Sequence, residues 1–289
     1  MEGIVSVEEL LDPMEEAYHE HGTGVAPDHS RERLYVPLDD RKYWFNNIMG
    51  AVPGIDSMAL RIDSSHRIER EDRNVFVGDY TGLVLLFDIQ STDLEAVMDD
   101  HYLSPLRVAA TSGVAARHLA PEGATRMGLF GTGEQAGPQL EVFHHLCDFD
   151  EIVVYSPTRE HRQGFADRYN DQFDADVRAV DGPQTVVEGS DVVVTATNSN
   201  EPVFDGEWLD HGTHVSTTVG GDYDNERDEI DATTIRRADR IYCNRFQQLL
   251  DDRQGNLYQL LDSGELTRDD VAELGELVAG EAATRDSSE

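Results

Sequence analysis

Met127-Gly128-Leu129-Phe130-Gly131-Thr132-Gly133-Glu134-Gln135-Ala136 runs an apolar tetrapeptide into a glycine turn. The residues that follow, Ala136, Leu140, Phe143 and Leu146, fall on one face of a helix. Strand, GxGxxA turn and helix in that order make a dinucleotide-binding fingerprint. Gly131 permits a tight turn, Gly133 lets backbone N–H groups approach a pyrophosphate, and Ala136 lets the helix pack close on the strand. The helix N-terminus adds unpaired donors and a partial positive charge. Thr132, Glu134 and Gln135 complete the turn, so residues 131–136 are the expected phosphate cradle. A glycine turn alone is weak evidence, and its setting carries the reading.

That setting is a run of strand–helix units. Residues 152–155 (Ile-Val-Val-Tyr) read as a second strand, 158–169 as a second helix, and 177–180 as a third strand. Thr185 to Glu188 leads into a fourth strand at 191–196 (Asp-Val-Val-Val-Thr-Ala), the most continuously apolar one. Residues 214–219 and 240–242 are the expected fifth and sixth. Continuous apolar strands alternating with helices imply a parallel sheet covered on both faces. The fold class is therefore α/β, a Rossmann-type doubly wound parallel sheet over residues 121–259. Residues 1–120 show no single clean period. Strands are expected at 83–89 and, more weakly, at 58–62, with a helix over 105–119. Ser6 with Glu9 fits a capping box, and Asp12 with Pro13 and Glu15 a second helix start. Residues 281–289 read as a solvated tail.

In NAD-selective sites an acidic residue usually closes the second strand and binds the ribose 2′-hydroxyl. Here that tip is Tyr155-Ser156-Pro157-Thr158-Arg159. Ser156, Thr158 and Arg159 are suited to a 2′-phosphate, so the expected cofactor is NAD(P), with NADP(H) favoured. The plainer alternative makes Arg159 a surface residue of the second helix.

Composition excludes several partners. The 289 residues carry 58 acidic and 23 basic side chains, a formal charge of −35, and Lys42 is the one lysine. Such a surface repels nucleic acid and anionic membranes. The carboxylates run along the whole chain, which reads as adaptation to a high-salt cytoplasm. No apolar run approaches the roughly 18 residues of a membrane span, and no signal-peptide core follows Met1, so a cytoplasmic protein is expected. Cys147 and Cys243 sit in no CxxC or His/Cys cluster, so two buried thiols are expected and no metal site.

Several segments together resemble the ornithine cyclodeaminase/mu-crystallin family. They are Arg107-Val-Ala-Ala-Thr111-Ser112, the 131–136 turn, and Thr195-Ala196-Thr197 with Glu201-Pro202-Val203. Gly206-Glu-Trp208, His211-Gly212-Thr-His214 and Val219-Gly-Gly-Asp222 continue the series. The resemblance is good from about residue 80 to 280 and weaker before that. It implies an α+β substrate and dimerisation domain in residues 1–120, with 260–289 packing back on it, and a homodimer. It also implies hydride transfer between nicotinamide and the α-carbon of a small amino or imino acid. Asp222 matches the family's proton-transferring carboxylate, although a turn-forming Asp after two glycines is the plainer reading. Arg107 and Arg31 match arginines that hold the substrate carboxylate, with Arg33 a substitute for Arg31. Thr111, Thr195, Ala196, Thr197 and Val219 match cofactor-side positions.

Two departures stand out. Arg61 occupies the place of the family's catalytic lysine, and an arginine cannot act as a proton donor. The chain also stops soon after Gly280, where family members continue with further helices, implying a modified dimer interface or a shortened reading frame. The reading is an NAD(P)-dependent amino- or imino-acid oxidoreductase. The alternatives are a redox-neutral ornithine cyclodeaminase and a non-catalytic NADP(H)-binding protein of the crystallin kind.

Overall fold

The computed structural model describes residues 5–70, 73–218 and 227–285. The chain opens on the reciprocal bonds of the Ser6–Glu9 capping box, at 2.8 and 3.3 Å, and continues into helix α1, Leu11–Gly22. Five antiparallel strands follow, in spatial order equal to chain order. They are β1 (Asp28–Pro37), β2 (Lys42–Val52), β3 (Ser57–Arg70), β4 (Arg73–Asp88) and β5 (Leu94–Asp99). Helix α2, Asp100–Leu119, starts with the Asp99 carboxylate accepting the His101 N–H at 2.9 Å.

The two faces of this antiparallel sheet differ in chemistry. Register places Met49, Leu60, Leu85 and Val97 opposite one another on one face, with Ile62 and Leu83 two residues along. The other face carries Trp44, Asn46, Arg61, Asp63, Ser65 and Arg67, most of them buried. Arg67 lies 3.4 Å over the Trp44 ring, and Tyr35 meets that ring edge-on at 4.3 Å. The polar face is thus the inner one, the reverse of a simple half-buried sheet.

The second half is the expected doubly wound unit. It comprises β6 (Arg126–Phe130), α3 (Ala136–Leu146), β7 (Glu151–Tyr155), α4 (Arg159–Asn170) and β8 (Asp176–Ala179). A short helix α5 (Pro183–Val187), β9 (Val192–Thr195) and β10 (His214–Thr217) complete it. All five strands are parallel, in the order β10-β9-β6-β7-β8. The order reverses between β6 and β9, which places a binding crevice at their carboxyl ends. Met127, Leu129, Ile152, Val154, Val192 and Val194 form the main core with Leu140, Phe143 and the α2 residues Leu106 and Ala110.

Three expectations change. Residues 185–188 belong partly to helix α5, because Pro183 sits well at a helix start. The strand expected at 240–242 does not join the parallel sheet. After helix α6 (Ala232–Arg237) it is β11 (Ile241–Cys243), and it pairs in parallel with β12 (Val271–Glu273) as a separate two-stranded sheet. Helices α7 (Phe246–Asp252) and α8 (Gly255–Asp262) lie between these two strands. The tail is also tied down in part: Arg285 donates to the Leu119 carbonyl at 3.3 Å and to the Gly212 carbonyl at 2.6 Å. Helix α9, Leu274–Val278, packs Leu274 and Leu277 against Val114, Met14 and Tyr18, joining the end of the chain to α1 and α2. Cys147 and Cys243 are half-buried free thiols. Among the described residues no helix is long and apolar enough to cross a membrane.

Candidate active site

The glycine turn sits at the carboxyl end of β6, at the reversal of strand order. Gly131 has φ +101°, and a Cβ there would lie 2.1 Å from the Ala196 carbonyl oxygen. Only glycine allows the turn to seat so closely on the end of β9. Gly133 is different, because a Cβ there would meet nothing within 4 Å. The space above it is open, as a cradle for phosphate requires. Ala136 is fully buried at the start of α3. Glu134 is exposed on the turn, while Gln135 is half-buried.

The neighbouring strand tip holds Ser156, buried, with Thr158 and Arg159 exposed at the start of α4. Thr132 and Ser156 hydroxyls lie 3.3 Å apart, tying the glycine turn to this tip. Arg162, which the sequence reading did not single out, rivets the tip from beneath. It donates to the Ser156 carbonyl at 3.1 Å and the Pro157 carbonyl at 3.3 Å, and pairs with Asp181 at 2.7 Å. Those Arg162 contacts, with a smaller contribution from the Arg159 charge, hold the Asp181 carboxyl below the usual carboxylate range.

The polar face of the antiparallel sheet carries a second cluster of charged side chains. Arg61, on β3, gives its Nε and Nη2 to one oxygen of Asp100, at 2.9 and 2.6 Å, and its Nη1 to Asp63 at 2.7 Å. Asp63 also accepts the Asn46 amide at 2.7 Å, and the Tyr80 hydroxyl reaches Asp100 at 3.4 Å. Desolvation opposes the charge on Arg61, but the bonds and charges of Asp100 and Asp63 outweigh it and hold its pKa above the ordinary value. This guanidinium keeps its proton. Burial beside Asp100 pushes the Tyr80 phenol up to about 12.

Arg107, on α2, is the contrasting cation. The residue is exposed at the surface of α2, with protein packed around its guanidinium. That surrounding protein, and after it the charges of Arg61 and Arg31, push its pKa below the ordinary value. Among the described residues its guanidinium has neither a hydrogen bond nor an ion pair. Thr111, one turn on, donates to the Arg107 carbonyl at 3.0 Å and lies 3.4 Å from the Tyr18 hydroxyl. Arg31 sits at an irregularity of β1, 3.5 Å from Asp252, and Arg33 binds the other oxygen of Asp252 at 2.5 Å. The charges of Arg61 and Arg31 both act on Arg107, which places these three arginines near one another.

On the far side of the glycine turn, Thr195 and Thr197 turn their hydroxyls onto Glu229, at 2.8 and 2.6 Å, and Ala196 is buried against the turn. Val219 and Asp222 lie outside the described residues. Glu229, Asp100, Asp63, Asp252 and Tyr18 went unnoticed in the sequence. In a chain with 58 acidic residues a single carboxylate carries no signal of its own.

Strand order and glycine turn define a Rossmann-type α/β protein that also carries a five-stranded antiparallel sheet. The whole chain, residues 1–289, matches the ornithine cyclodeaminase/mu-crystallin family, and the protein belongs to it. It is 27% identical to a Delta(1)-pyrroline-2-carboxylate reductase of Bacillus cereus, over 90% of this chain and 80% of that protein. It is 33% identical to the ketimine reductase mu-crystallin of Mus musculus, over 72% of this chain and 62% of that protein. Among solved structures, an archaeal alanine dehydrogenase dimer with bound NAD superposes with a TM-score of 0.83 at 25% identity, covering 100% of this chain and 85% of that one.

Proposed function

We propose that the chain is an NAD(P)-dependent oxidoreductase that reduces the C=N bond of a small imino acid, or runs that reaction in reverse on the amino acid. The observation that carries it is Arg107, a cation in the crevice with no carboxylate of its own among the described residues. A substrate carboxylate answers it through a bidentate pair. Family membership and the reductase names of the relatives support the reaction class.

The cradle at Gly131, Thr132, Gly133, Glu134, Gln135 and Ala136 takes the pyrophosphate, and its open space at Gly133 fits that group. The bound dinucleotide supplies or accepts hydride at its nicotinamide ring. Ser156, Thr158 and Arg159 take a 2′-phosphate, which favours NADP(H). Thr111, Thr195, Ala196, Thr197 and Val219 border the nicotinamide side. Arg31 and Arg107 hold the substrate carboxylate. Arg61, already engaged by Asp100 and Asp63, orients and polarises without passing a proton. The proton for the imine nitrogen then falls to Asp222.

Residues 1–120 with 260–289 form the substrate and dimerisation unit, and 121–259 the dinucleotide-binding unit. The apolar outer face of the antiparallel sheet pairs two copies of the chain. The working compartment is a cytoplasm of high salt.

A panel of cyclic imino acids, 2-oxo acids with ammonia, and ornithine, run with NADH and with NADPH at molar KCl, tests this. Stoichiometric loss of reduced nicotinamide absorbance with an imine, faster with NADPH, is the expected result. Asp222→Asn should cut turnover about 10²-fold or more at nearly unchanged dinucleotide affinity. Ammonia release from ornithine with no net cofactor consumption would replace this reading with the cyclodeaminase one. Dinucleotide binding with no turnover on any substrate would leave the non-catalytic binder.

A further inference from the structure

One buried carboxylate holds the ends of two strands beside the crevice. Glu229 is 1% exposed. Its Oε1 accepts the Thr197 N–H at 2.5 Å and the Thr197 hydroxyl at 2.6 Å. Its Oε2 accepts the hydroxyls of Thr195 at 2.8 Å and Thr217 at 2.9 Å. Its own carbonyl accepts the Val203 N–H at 3.0 Å. The three hydroxyls and one backbone N–H are neutral donors, and together they satisfy the lone pairs that burial would otherwise strand.

The direction of these bonds matters more than their number. A carboxylate only accepts, and a threonine hydroxyl has one proton to give. Each of the three hydroxyls therefore commits its proton to Glu229 and shows any other group lone pairs alone. Thr195 is fully buried, whereas Thr197 is half-buried and Thr217 exposed. Thr197 already accepts the Ser199 N–H at 3.1 Å, which leaves Thr217 the freer acceptor. Both stand at the carboxyl ends of β9 and β10. In a doubly wound sheet the glycine turn takes the pyrophosphate and the β7 side the adenosine, so the β9–β10 side faces the other mononucleotide.

We propose that Glu229 is a positioning residue that fixes Thr197 and Thr217 as hydrogen-bond acceptors facing the nicotinamide half of the dinucleotide. This rests on the dinucleotide reading above. Ligand groups taken there must donate, as ribose hydroxyls and a carboxamide N–H do, and phosphate, which only accepts, is turned away.

A carboxylate that merely stapled two strands would affect every ligand of the crevice alike, and this separates the two roles. In Glu229→Gln the amide nitrogen donates where the carboxylate accepted. One set of hydroxyls must then reverse and point protons toward the ligand. Thr217→Val removes the acceptor from an exposed position, and Thr217→Ser keeps it. Dissociation constants for ADP and for NADH or NADPH, whichever wild type binds more tightly, are measured calorimetrically at molar KCl. Glu229→Gln and Thr217→Val should each weaken the reduced dinucleotide about tenfold, the loss of one hydrogen bond. ADP affinity should stay within about twofold, and Thr217→Ser should match wild type. Should Glu229→Gln fail to fold, the Val and Ser variants decide the matter. Parallel loss of ADP and dinucleotide affinity, or a Thr217→Val protein with unchanged dinucleotide affinity, would overturn the assignment. Wild type that binds neither ligand would overturn the dinucleotide reading as well, a result distinct from either of those.

Discussion

Gly131 and Gly133 stand two residues apart in one turn, yet the absence of a side chain serves a different end at each. A side chain at Gly131 would strike the Ala196 carbonyl and force a left-handed backbone on a non-glycine residue. Gly131→Ala should therefore cost about 1–3 kcal/mol of stability. Gly133→Val projects into open space, so the melting temperature should stay near that of wild type while dinucleotide binding is lost. Intact affinity in a folded Gly133→Val protein would remove the phosphate cradle from the account. His214 poses a separate question of protons. Its Nε2 is buried with no hydrogen-bond partner among the described residues, and desolvation, with a smaller contribution from Arg285, pushes its pKa from 6.5 down to about 4. The unfolded chain thus binds the proton first as pH falls. Stability from the neutral ring is full above the unfolded value, is lost between about 6.5 and 4, and changes no further below. The loss is at most about 3 kcal/mol. Lowering the pH also discharges carboxylates, which relieves self-repulsion and works the other way. The measurement is therefore the wild-type stability curve minus that of His214→Leu. A difference flat across that window would show that His214 does not titrate on unfolding.

At the scale of elements, the parallel sheet was legible, whereas of the antiparallel one only the stretches 58–62 of β3 and 83–88 of β4 were. Strands β6, β7 and β9 are buried on both faces and read as unbroken apolar runs. Strand β3 does alternate, but Arg61, Asp63, Ser65 and Arg67 point inward while Leu60 and Ile62 point outward, so the usual rule of apolar-in fails. Three residues at β11 could not reveal that their partner is β12 and not the large sheet. In the site, Arg31, Arg61 and Arg107 were legible because the family pattern marked them. Asp100 and Glu229 were not, because their roles depend on which strand ends meet in space. The inverted sheet has a consequence for assembly. Its outer face sets Met49, Leu60, Leu85 and Val97 in one row with Ile62 and Leu83 beside them, and Leu34 and Val97 are 59% and 57% exposed. An exposed apolar row of this kind on an acidic protein suits the proposed pairing of two copies. Leu60→Glu with Leu85→Glu should turn a dimer into a folded monomer, read by light scattering at molar KCl. A wild-type monomer, or a variant that still dimerises, would move the interface elsewhere.

The whole molecule carries a formal charge of −35 on 289 residues: with all 23 basic side chains matched to carboxylates, 35 of the 58 acidic ones would still lack a cation. Pairs that hold the fold, such as Arg61 with Asp100, are sheltered and respond weakly to salt. Exposed ones, such as Arg236 with Glu265, contribute little to begin with, so screening them loses little. What salt removes is the mutual repulsion of the unpaired carboxylates, which opposes the compact state. The melting temperature should therefore climb as KCl rises from dilute buffer to molar levels. For a chain of this size each kcal/mol of relieved repulsion is worth about 2 °C or slightly less. Screening and surface exclusion can be told apart by concentration and by salt identity. Between about 0.01 and 0.1 M the Debye length falls from roughly 30 to 10 Å whatever the monovalent salt. Over that range KCl and potassium thiocyanate should raise the melting temperature alike. At molar levels they should diverge, because exclusion from the protein surface depends on the ion. A melting temperature that is flat or falling in KCl, or one that rises only above the screening range, would mean that charge repulsion does not set the stability of this protein.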